Sequence, residues 1–345
     1  MFDLPDYDDH EAVVVARDAQ AGLCAIIAIH DTTLGPAHGG ARFWTYDRPQ
    51  DAIVDALRLS RGMTYKNALA GLPFGGGKSV IMAGKDRTKT PELLEAFGVA
   101  VEKLGGRYNL AEDVGISPGD VATIARRTAH VCGLPADGNE AAADPGPFTA
   151  RGVFLAMKAG LAEVRGSEDL GGVRVTVQGL GGVGGQLCDM LAAEGAVLTL
   201  ADVDPARAGA LAARTGAQVV DPGQIYDVDA DVYAPCALGA TLNAATIDRL
   251  KVALVCGGAN NQLATPADGT ALQRRGILYL PDFVVNAGGV THTTSQLTGW
   301  PHDKVLAKLG EIPGRVRRIL DLAARDAVDP QRAAERAALE IIGKR

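Results

Sequence analysis

The chain has 345 residues, a formal net charge of −7, 47% hydrophobic residues and 22% charged residues. This length predicts two domains, and the balance is typical of a soluble globular protein rather than one that binds nucleic acid or spans a membrane. The five cysteines are dispersed, with no CxxC pair and no cluster at metal spacing. They indicate reduced thiols, a cytoplasmic location and no metal site. The acidic N-terminus lacks the apolar segment of a signal peptide.

The first part of the chain predicts three strands followed by a helix. The strands are apolar runs at Val13–Ala16, Leu23–His30 and Gly40–Trp44, which turn residues separate. Apolar residues then recur at helical spacing from Ile53 to Met63, which predicts a helix that continues to Lys66.

The stretch MTYKNALAGLPFGGGKSV, at residues 63–80, carries two lysines around a run of small residues. Lys66 belongs to the predicted helix, and Lys78 opens an apolar run that is typical of a buried strand. The three glycines at 75–77 allow positive φ and leave room for another group to approach the backbone, so we expect the two ammonium groups to come close together beside bare backbone. Such a site would attract a carboxylate, and burial with mutual repulsion would lower the pKa of the more buried lysine.

Two other interpretations of this stretch exist. A phosphate-binding P-loop would need glycine at the position of Leu72, and it would follow a strand rather than a helix. A flexible hairpin with two solvated lysines is the second alternative, because lysines are mostly exposed.

The next segment predicts a helix, a strand and a carboxylate. The helix covers Pro91–Leu104 with Thr90 as its N-cap, and the strand covers Arg107–Ala111. Asp113 follows this strand beside glycine, where a catalytic carboxylate is often found, although it could equally cap the helix that begins at residues 117–118. The small, polar stretch Cys132–Pro147 is the candidate interdomain hinge.

A dinucleotide-binding motif follows. Thr149 is the predicted N-cap of a helix at 150–164. A buried strand at 173–177 then leads into the G-x-G-x-x-G sequence at 179–184, a helix follows, and the next strand ends at Asp202. The glycines provide a tight turn and close approach to a pyrophosphate at the helix N-terminus, while the acid binds a ribose hydroxyl. This context favours NAD over NADP.

Strand and helix signals continue to alternate. Asp231–Ala234, Val252–Cys256 and Ile277–Leu280 predict strands with helices between them. Ligands of open α/β sheets bind at the carboxyl ends of strands, so the loops that follow are candidate ligand sites. These loops contain three asparagines, at 260, 261 and 286, which could otherwise be ordinary turn residues.

These segments together resemble the glutamate/leucine/phenylalanine/valine dehydrogenase family of NAD(P)-dependent L-amino acid dehydrogenases. The resemblance rests on LGPAHGGAR, LRLSRGMTYKNALAGLPFGGGKSVI, AEDVG, DPGPFTARGV, GLGGVGG, APCALGA, GGANNQLA and PDFVVNAGGV, which occur in the family's order. The chain length and the lysine stretch are more similar to the leucine/valine/phenylalanine branch than to glutamate dehydrogenases.

The resemblance implies an α/β fold with two domains. An N-terminal substrate and oligomerisation domain with a mostly mixed sheet would cover residues 1–134, joined by a C-terminal helix at 328–345. A Rossmann-type NAD-binding domain would cover residues 135–327. The protein would be a homo-oligomer whose partners are small molecules: an L-amino acid, its 2-oxo acid and ammonia.

The resemblance also implies a reversible, NAD-dependent oxidative deamination, in which hydride leaves Cα and water replaces the nitrogen of the resulting imine. Lys66 would bind the substrate carboxylate with the backbone of Gly39 and Gly40. Lys78 would activate water and polarise the developing carbonyl, and Asp113 would move protons to and from the amino nitrogen. The other implied substrate-binding residues are His38, Ala111, Asn286, Val290 and Thr293, and the implied cofactor-binding residues are Thr149, Gly179, Gly181, Gly182, Val183, Gly184, Asp202, Cys236, Ala237, Ala259, Asn260 and Asn261.

The sequence departs from the family pattern in the implied side-chain pocket. His38 stands where the apolar-substrate branch usually has an apolar residue, and Thr293 stands where that branch often has valine. We therefore expect a branched-chain or aromatic substrate in a pocket that is more polar than that of a leucine or phenylalanine enzyme.

Two other functional classes fit parts of the sequence. A non-catalytic or regulatory NAD-binding relative would need only the dinucleotide motif, and it would not need Lys66, Lys78 and Asp113 together. An oxidoreductase of 2-hydroxy acids usually needs a histidine–carboxylate pair and an arginine clamp, and no histidine here has a matching context.

Overall fold

The computed structural model describes residues 2–4, 6–86, 88–134 and 144–344. The chain forms two compact units, one of Met1–Pro145, Thr293–Trp300 and Ala338–Lys344, the other mainly of Gly146–His292 and Pro301–Ala337. The domain boundaries expected from the sequence stay a prediction. The predicted hinge at 132–147 lies largely outside the described residues, which exclude 135–143.

The first unit contains a five-stranded mixed sheet, as predicted for the N-terminal domain. The strand order is β1-β2-β4-β3-β5. The β1–β2 and β2–β4 pairs are antiparallel, whereas β3 pairs in parallel with both β4 and β5. The strands are β1 (Ala12–Asp18), β2 (Leu23–Asp31), β3 (Ala37–Trp44), β4 (Gly75–Met82) and β5 (Tyr108–Glu112).

Helices cover both faces of this sheet. The first unit contains α1 (Pro49–Ala70), α2 (Pro91–Glu102) and α3 (Pro118–Ile124). Helix α1 packs its alanines and Leu57 against Ile26, Ala28 and Val80, and α2 packs Phe97 and its neighbours against the opposite face. Thr90 caps α2 as predicted, since its hydroxyl accepts the Leu93 N–H.

The glycines at 75–77 correct the sequence-based expectation. They belong to strand β4, and none of them has positive φ. Their role is close packing, because an added Cβ at Gly76 would lie 2.1 Å from Thr64 Oγ1 and one at Gly75 would lie 1.9 Å from the Asp31 carbonyl oxygen. The missing side chains therefore make room for the chain's own helix and neighbouring strand.

The second unit contains a six-stranded sheet of order β11-β10-β9-β6-β7-β8. Its strand pairs are parallel. The chain leaves β6 in one direction through β7 and β8, then returns to the other side at β9, which is the Rossmann strand order. The strands are β6 (Arg174–Gln178), β7 (Val197–Ala201), β8 (Gln218–Val219), β9 (Val232–Pro235), β10 (Leu254–Val255) and β11 (Leu278–Tyr279).

The remaining helices begin at Gly146. Thr149 lies inside the first of them, so its predicted role as an N-cap is wrong: the helix starts one turn earlier, with Pro147 in its first turn, where the missing N–H of proline is tolerated. No helix among the described residues is long and apolar enough to cross a membrane. The helices are α4 (Gly146–Arg165), α5 (Gly182–Ala193), α6 (Pro205–Thr215), α7 (Ala244–Ile247), α8 (Pro266–Arg274), α9 (Asp282–Val285), α10 (Gly288–Thr298), α11 (His302–Gly310), α12 (Ile312–Asp326) and α13 (Pro330–Ile341).

Candidate active site

Strands β3 and β5 bring several predicted residues of the first unit to one face of the sheet. Their register pairs His38 with Asn109 and Gly40 with Ala111. Because side chains alternate along a strand, Asp113, two residues after Ala111, lies on the same face.

Lys78 and Asp113 form a buried ion pair at this face. Lys78 Nζ lies 2.9 Å from Asp113 Oδ2, and the two side chains are 5% and 14% exposed. Burial raises the pKa of Asp113, but the charges of Lys78 and Arg42 outweigh it and hold this pKa at about 2. The carboxylate is therefore ionised at neutral pH.

Burial also lowers the pKa of Lys78, as the sequence predicted. The charge of Arg42 lowers it further by repulsion, while Asp113 raises the lysine's pKa by attraction. Two cations thus share one carboxylate, and the buried amine is the one that can release its proton.

Lys66 lies on α1, over the same sheet. Its residue is 8% exposed. Helix α1 can approach strand β4 because Gly76 has no side chain. An added Cβ at Gly76 would lie 2.1 Å from Thr64 Oγ1 of this helix. The packing therefore places both predicted lysines in the interior of the first unit, which argues against the solvated hairpin.

His38 is fully buried and hydrogen-bonded on both ring nitrogens. Nδ1 lies 3.2 Å from the Asn109 carbonyl oxygen, and Nε2 lies 3.0 Å from Thr293 Oγ1. A carbonyl oxygen only accepts, so Nδ1 carries the proton and Nε2 accepts from the Thr293 hydroxyl. Burial lowers the pKa of His38 to about 4, so the ring is neutral at physiological pH.

Gly39 and Gly40 lie within strand β3. An added Cβ at Gly39 would lie 1.9 Å from the Gly77 carbonyl oxygen, and one at Gly40 would lie 2.7 Å from Asp113 Cβ. Neither position can carry a side chain without movement of a neighbouring strand.

The second unit contains the predicted glycine-rich turn between β6 and α5. Gly179 has φ +89°, a conformation that favours glycine. Added Cβ atoms at Gly181 and Gly182 would meet nothing within 4 Å, whereas one at Gly184 would lie 1.9 Å from the Gly179 carbonyl oxygen. The turn is thus closed against its own strand and open above the N-terminus of α5, where backbone N–H groups attract anions.

Asp202 follows β7 and supports this turn. Its Oδ2 accepts the Leu180 N–H at 2.7 Å, and its Oδ1 accepts the Asp204 N–H at 2.8 Å. Arg207 Nη1 lies 3.3 Å from Oδ1. Asp202, which is predicted to bind the ribose, therefore also accepts hydrogen bonds from the backbone and has the Arg207 guanidinium beside it.

Loops after β9 and β10 meet the glycine-rich turn at one edge of the sheet. An added Cβ at Gly179 would lie 2.6 Å from Ala237, and Cys236 Sγ accepts the Gly258 N–H at 3.3 Å. An added Cβ at Gly258 would lie 2.5 Å from Val183 Cγ1. The structure thus brings together most of the predicted cofactor residues of this unit, including Ala259, Asn260 and Asn261 of the β10 loop.

Asn286, at the end of α9, ties this β10 loop in place. Its Nδ2 donates to Asn260 Oδ1 at 2.9 Å and to the Gly258 carbonyl oxygen at 3.2 Å. Val290 lies in α10 and Thr149 in the first turns of α4, both half-buried. Their predicted contacts with ligands stay predictions.

Sequence reasoning missed Arg42 and Asp55. Arg42 Nε lies 3.1 Å from Asp113 Oδ2, and its Nη1 lies 2.9 Å from Asp55 Oδ2. The available signal was a lone arginine in a strand of small and apolar residues, two positions after Gly40. In the part of the chain that the structure describes, no group of three or more metal-ligating side chains could hold a metal ion.

Comparison with known proteins gives consistent relatives. Residues 10–130 match the profile of the Glu/Leu/Phe/Val dehydrogenase dimerisation domain, and residues 206–344 match that of Glutamate/Leucine/Phenylalanine/Valine dehydrogenase. Leucine dehydrogenase of Bacillus subtilis (strain 168) is 45% identical over 343 residues, 99% of this chain and 94% of the relative. Phenylalanine dehydrogenase of Bacillus thermotolerans is 40% identical over 333 residues, 95% and 87% of the two chains. The crystal structure of L-tryptophan dehydrogenase from Nostoc punctiforme has a TM-score of 0.81 at 42% identity, covering 97% of this chain and 96% of that chain.

Proposed function

Because the chain belongs to the glutamate/leucine/phenylalanine/valine dehydrogenase family, it is an amino acid dehydrogenase, an oxidoreductase acting on CH–NH2 donors, and we propose that it uses NAD to deaminate a branched-chain or aromatic L-amino acid reversibly. The observation that carries this proposal is the buried ion pair of Lys78 and Asp113. A protein that only binds a dinucleotide has no need of an amine with a lowered pKa beside an ionised carboxylate.

The residues of the first unit divide the work on the substrate. Lys66 binds the α-carboxylate, together with the backbone of Gly39 and Gly40. Lys78 accepts a proton from the attacking water, and its lowered pKa favours the neutral amine that this step needs. Asp113 moves a proton to and from the amino nitrogen, and its hydrogen bond to Lys78 lets the pair exchange that proton.

The second unit fits a dinucleotide. The open turn at Gly181 and Gly182 leaves the N-terminus of α5 accessible to a pyrophosphate, and Asp202 lies at the end of the adjacent strand, where a ribose hydroxyl is bound in this fold. A carboxylate there repels a 2′-phosphate, which favours NAD over NADP. When bound, the nicotinamide accepts the hydride from Cα. Around it we place the residues Thr149, Gly179, Val183, Gly184, Cys236, Ala237, Ala259, Asn260 and Asn261, with Asn286 and Val290 on the substrate side.

The side-chain pocket contains the His38–Thr293 pair at two positions where the branch of the family that acts on apolar substrates usually has apolar residues. Because the two polar groups bond to each other, the pocket accepts a branched or aromatic side chain while remaining more polar than a leucine pocket. We also propose a homo-oligomer, supported by the match of residues 10–130 to a dimerisation domain.

The test is NADH oxidation with ammonium across branched, aromatic, acidic and polar 2-oxo acids. We expect ammonium-dependent turnover, highest for branched or aromatic acids. Lys78→Met should lower kcat by at least about 100-fold, the contribution of a general base, while NADH binding persists. Lys158→Met, which removes a partly exposed lysine paired with Glu194, is the matched control and should leave kcat unchanged.

Two outcomes would contradict the proposal. Tight NADH binding without turnover of any 2-oxo acid would favour the non-catalytic relative. Turnover that does not require ammonium would indicate chemistry on 2-hydroxy acids.

A further inference from the structure

Four charged side chains, of which Lys78 is buried and the other three are partly buried, form a chain of alternating sign in the first unit. The order is Lys78, Asp113, Arg42 and Asp55, with successive N–O distances of 2.9, 3.1 and 2.9 Å. The Arg42 and Asp55 side chains are 19% and 22% exposed. The far end is fixed by Tyr46, whose hydroxyl donates to Asp55 Oδ2 at 2.5 Å.

Arg42 is the only member that bonds to two carboxylates on different elements among these four residues. Its Nε meets Asp113 at the end of β5, and its Nη1 meets Asp55 on helix α1. A guanidinium is planar and presents its donors in a fixed fork, which a lysine cannot reproduce. Arg42 therefore fixes the direction of the Asp113 carboxylate relative to Lys78.

We propose that Arg42 is a positioning residue of the active site, which holds the Asp113 carboxylate against Lys78 while Asp55 holds Arg42. This inference rests on the proposed function, in which Lys78 and Asp113 move protons. It adds that the chemistry depends on a helix residue, Asp55, that does not bond to Lys78.

The charges of Arg42 and Asp55 also predict effects of opposite sign on the pKa of Lys78. Burial lowers the pKa of this lysine and Arg42 lowers it further, whereas Asp55, like Asp113, raises it. Removing Arg42 should therefore raise the pKa of Lys78, and removing the charge of Asp55 should lower it. The titratable and charged groups that interact with Lys78 or bond to its partners are His38 and Arg42 of β3, Tyr46, Asp55 of α1 and Asp113 after β5.

The experiment compares Arg42→Gln, Asp55→Asn and Arg42→Lys. The ionisation of Lys78 is followed by 13Cε chemical shifts of labelled lysines, with its signal assigned by its loss in Lys78→Met, and kcat is measured against pH. Arg42→Gln should move the Lys78 midpoint up by about half a pH unit or more and lower kcat at least about tenfold, and Asp55→Asn should move the midpoint down. Arg42→Lys keeps the charge, so its midpoint should stay near that of the wild type while kcat falls.

Arg48→Gln and Asp51→Asn are matched controls, since they remove an exposed arginine–aspartate pair at the start of the same helix. Shifts in the same direction for Arg42→Gln and Asp55→Asn, or shifts no larger than those of the controls, would overturn the inference. The lysine titration needs no turnover, so it tests the charge coupling of Arg42 and Asp55 to Lys78 separately from the ammonium-dependent activity that tests the proposed function. If circular dichroism shows that Arg42→Gln is unfolded, Asp55→Asn and Arg42→Lys carry the test.

Discussion

His38 Nε2 lies 3.0 Å from Thr293 Oγ1, although 255 positions separate the two residues in sequence. The hydroxyl donates to the neutral ring, and the other ring nitrogen donates to the Asn109 carbonyl oxygen. The two departures from the apolar family pattern are therefore one structural feature. Each polar residue compensates for the burial of the other, so a change at one position should depend on the other.

The first prediction concerns this coupling. Thr293→Val should destabilise the protein by about 1–3 kcal/mol, because it leaves Nε2 of the buried His38 without its donor. In the double variant His38→Leu/Thr293→Val, the valine should lower the free energy of unfolding much less, because no imidazole remains to lose its donor. Urea unfolding of the wild type, His38→Leu, Thr293→Val and the double variant measures the coupling. Purely additive effects would show that the hydrogen bond does not connect the two positions energetically.

The same double variant should alter the ranking of substrates. An apolar pair should raise kcat/KM for the 2-oxo acid of leucine relative to acids with polar side chains, since an apolar pocket does not stabilise polar groups. The measurement is kcat/KM for each acid with saturating NADH and ammonium. An unchanged ranking would place His38 and Thr293 outside the substrate pocket.

The second prediction concerns acid stability. The pKa of His38 is about 4 in the folded protein against an ordinary value of 6.5, so the unfolded chain binds this proton more readily. The contribution of the neutral His38 to the free energy of unfolding is fully present above pH 6.5, and it is lost as the pH falls towards 4. Between pH 7 and pH 4.5, His38→Leu should therefore gain about 2–3 kcal/mol relative to the wild type in the free energy of unfolding.

The control for this pH dependence is His130→Leu, which removes a partly exposed histidine. The pH-dependent gain of His38→Leu should exceed that of His130→Leu if it comes from the buried ring rather than from the loss of any histidine. A constant difference between His38→Leu and the wild type across this range would mean that His38 titrates normally.

Much of the fold could be predicted from the sequence, because its signals are local. The Gly179–Gly184 turn needs only its own glycines and the adjacent strand, and the family resemblance and the two-domain α/β fold are confirmed. Lys78 and Asp113 could each be identified as candidate site residues, since Lys78 opens a strand and Asp113 follows one, whereas their ion pair could not be predicted. The roles proposed for these residues stay predictions.

The parts that could not be predicted depend on contacts between distant segments. The glycines at 75–77 suggested a loop, but they pair with β2 and β3 as part of a strand, and Thr64 of α1 leaves no room for a side chain at Gly76. Proximity in sequence suggested Lys66 as the charged neighbour of Lys78, whereas the folded chain brings Arg42 of β3 to the same carboxylate oxygen, Asp113 Oδ2, that Lys78 contacts. Sequence spacing does not encode such cross-strand neighbours.

The third prediction concerns cofactor choice. Asp202→Ala removes the charge that repels a 2′-phosphate. The Arg207 guanidinium, which lies 3.3 Å from the Asp202 carboxylate in the wild type, then becomes available to bind the 2′-phosphate. The ratio of kcat/KM for NADPH to that for NADH should rise at least about tenfold, the scale of one charge-assisted contact. The stability should fall by about 1–3 kcal/mol, because the Leu180 N–H loses its acceptor.

Two further variants separate these causes. Asp202→Ala/Arg207→Gln should lose most of the gain with NADPH. Asp204→Ala removes a neighbouring acid that caps α6, so it should lower stability without changing the cofactor ratio. If Asp204→Ala raises the ratio as much as Asp202→Ala does, general charge rather than the position of Asp202 determines the preference.

The last prediction concerns the strand that supports the carboxylate. A Cβ at Gly40 would lie 2.6 Å from the Glu112 carbonyl oxygen and 2.7 Å from Asp113 Cβ. These distances are too short for real contacts, so Gly40→Ala must move β3 away from β5 and Asp113 away from Lys78. We expect kcat to fall at least about tenfold, because a proton-transfer group is displaced, with a smaller change in the affinity for NADH. Gly209→Ala is the matched control: its Cβ would meet nothing within 4 Å in helix α6, so it should raise stability by about 0.5–1 kcal/mol and leave kcat unchanged. Wild-type kcat in Gly40→Ala would show that the ion pair tolerates a shift of this strand, and the close packing at Gly40 would then serve the fold rather than the reaction.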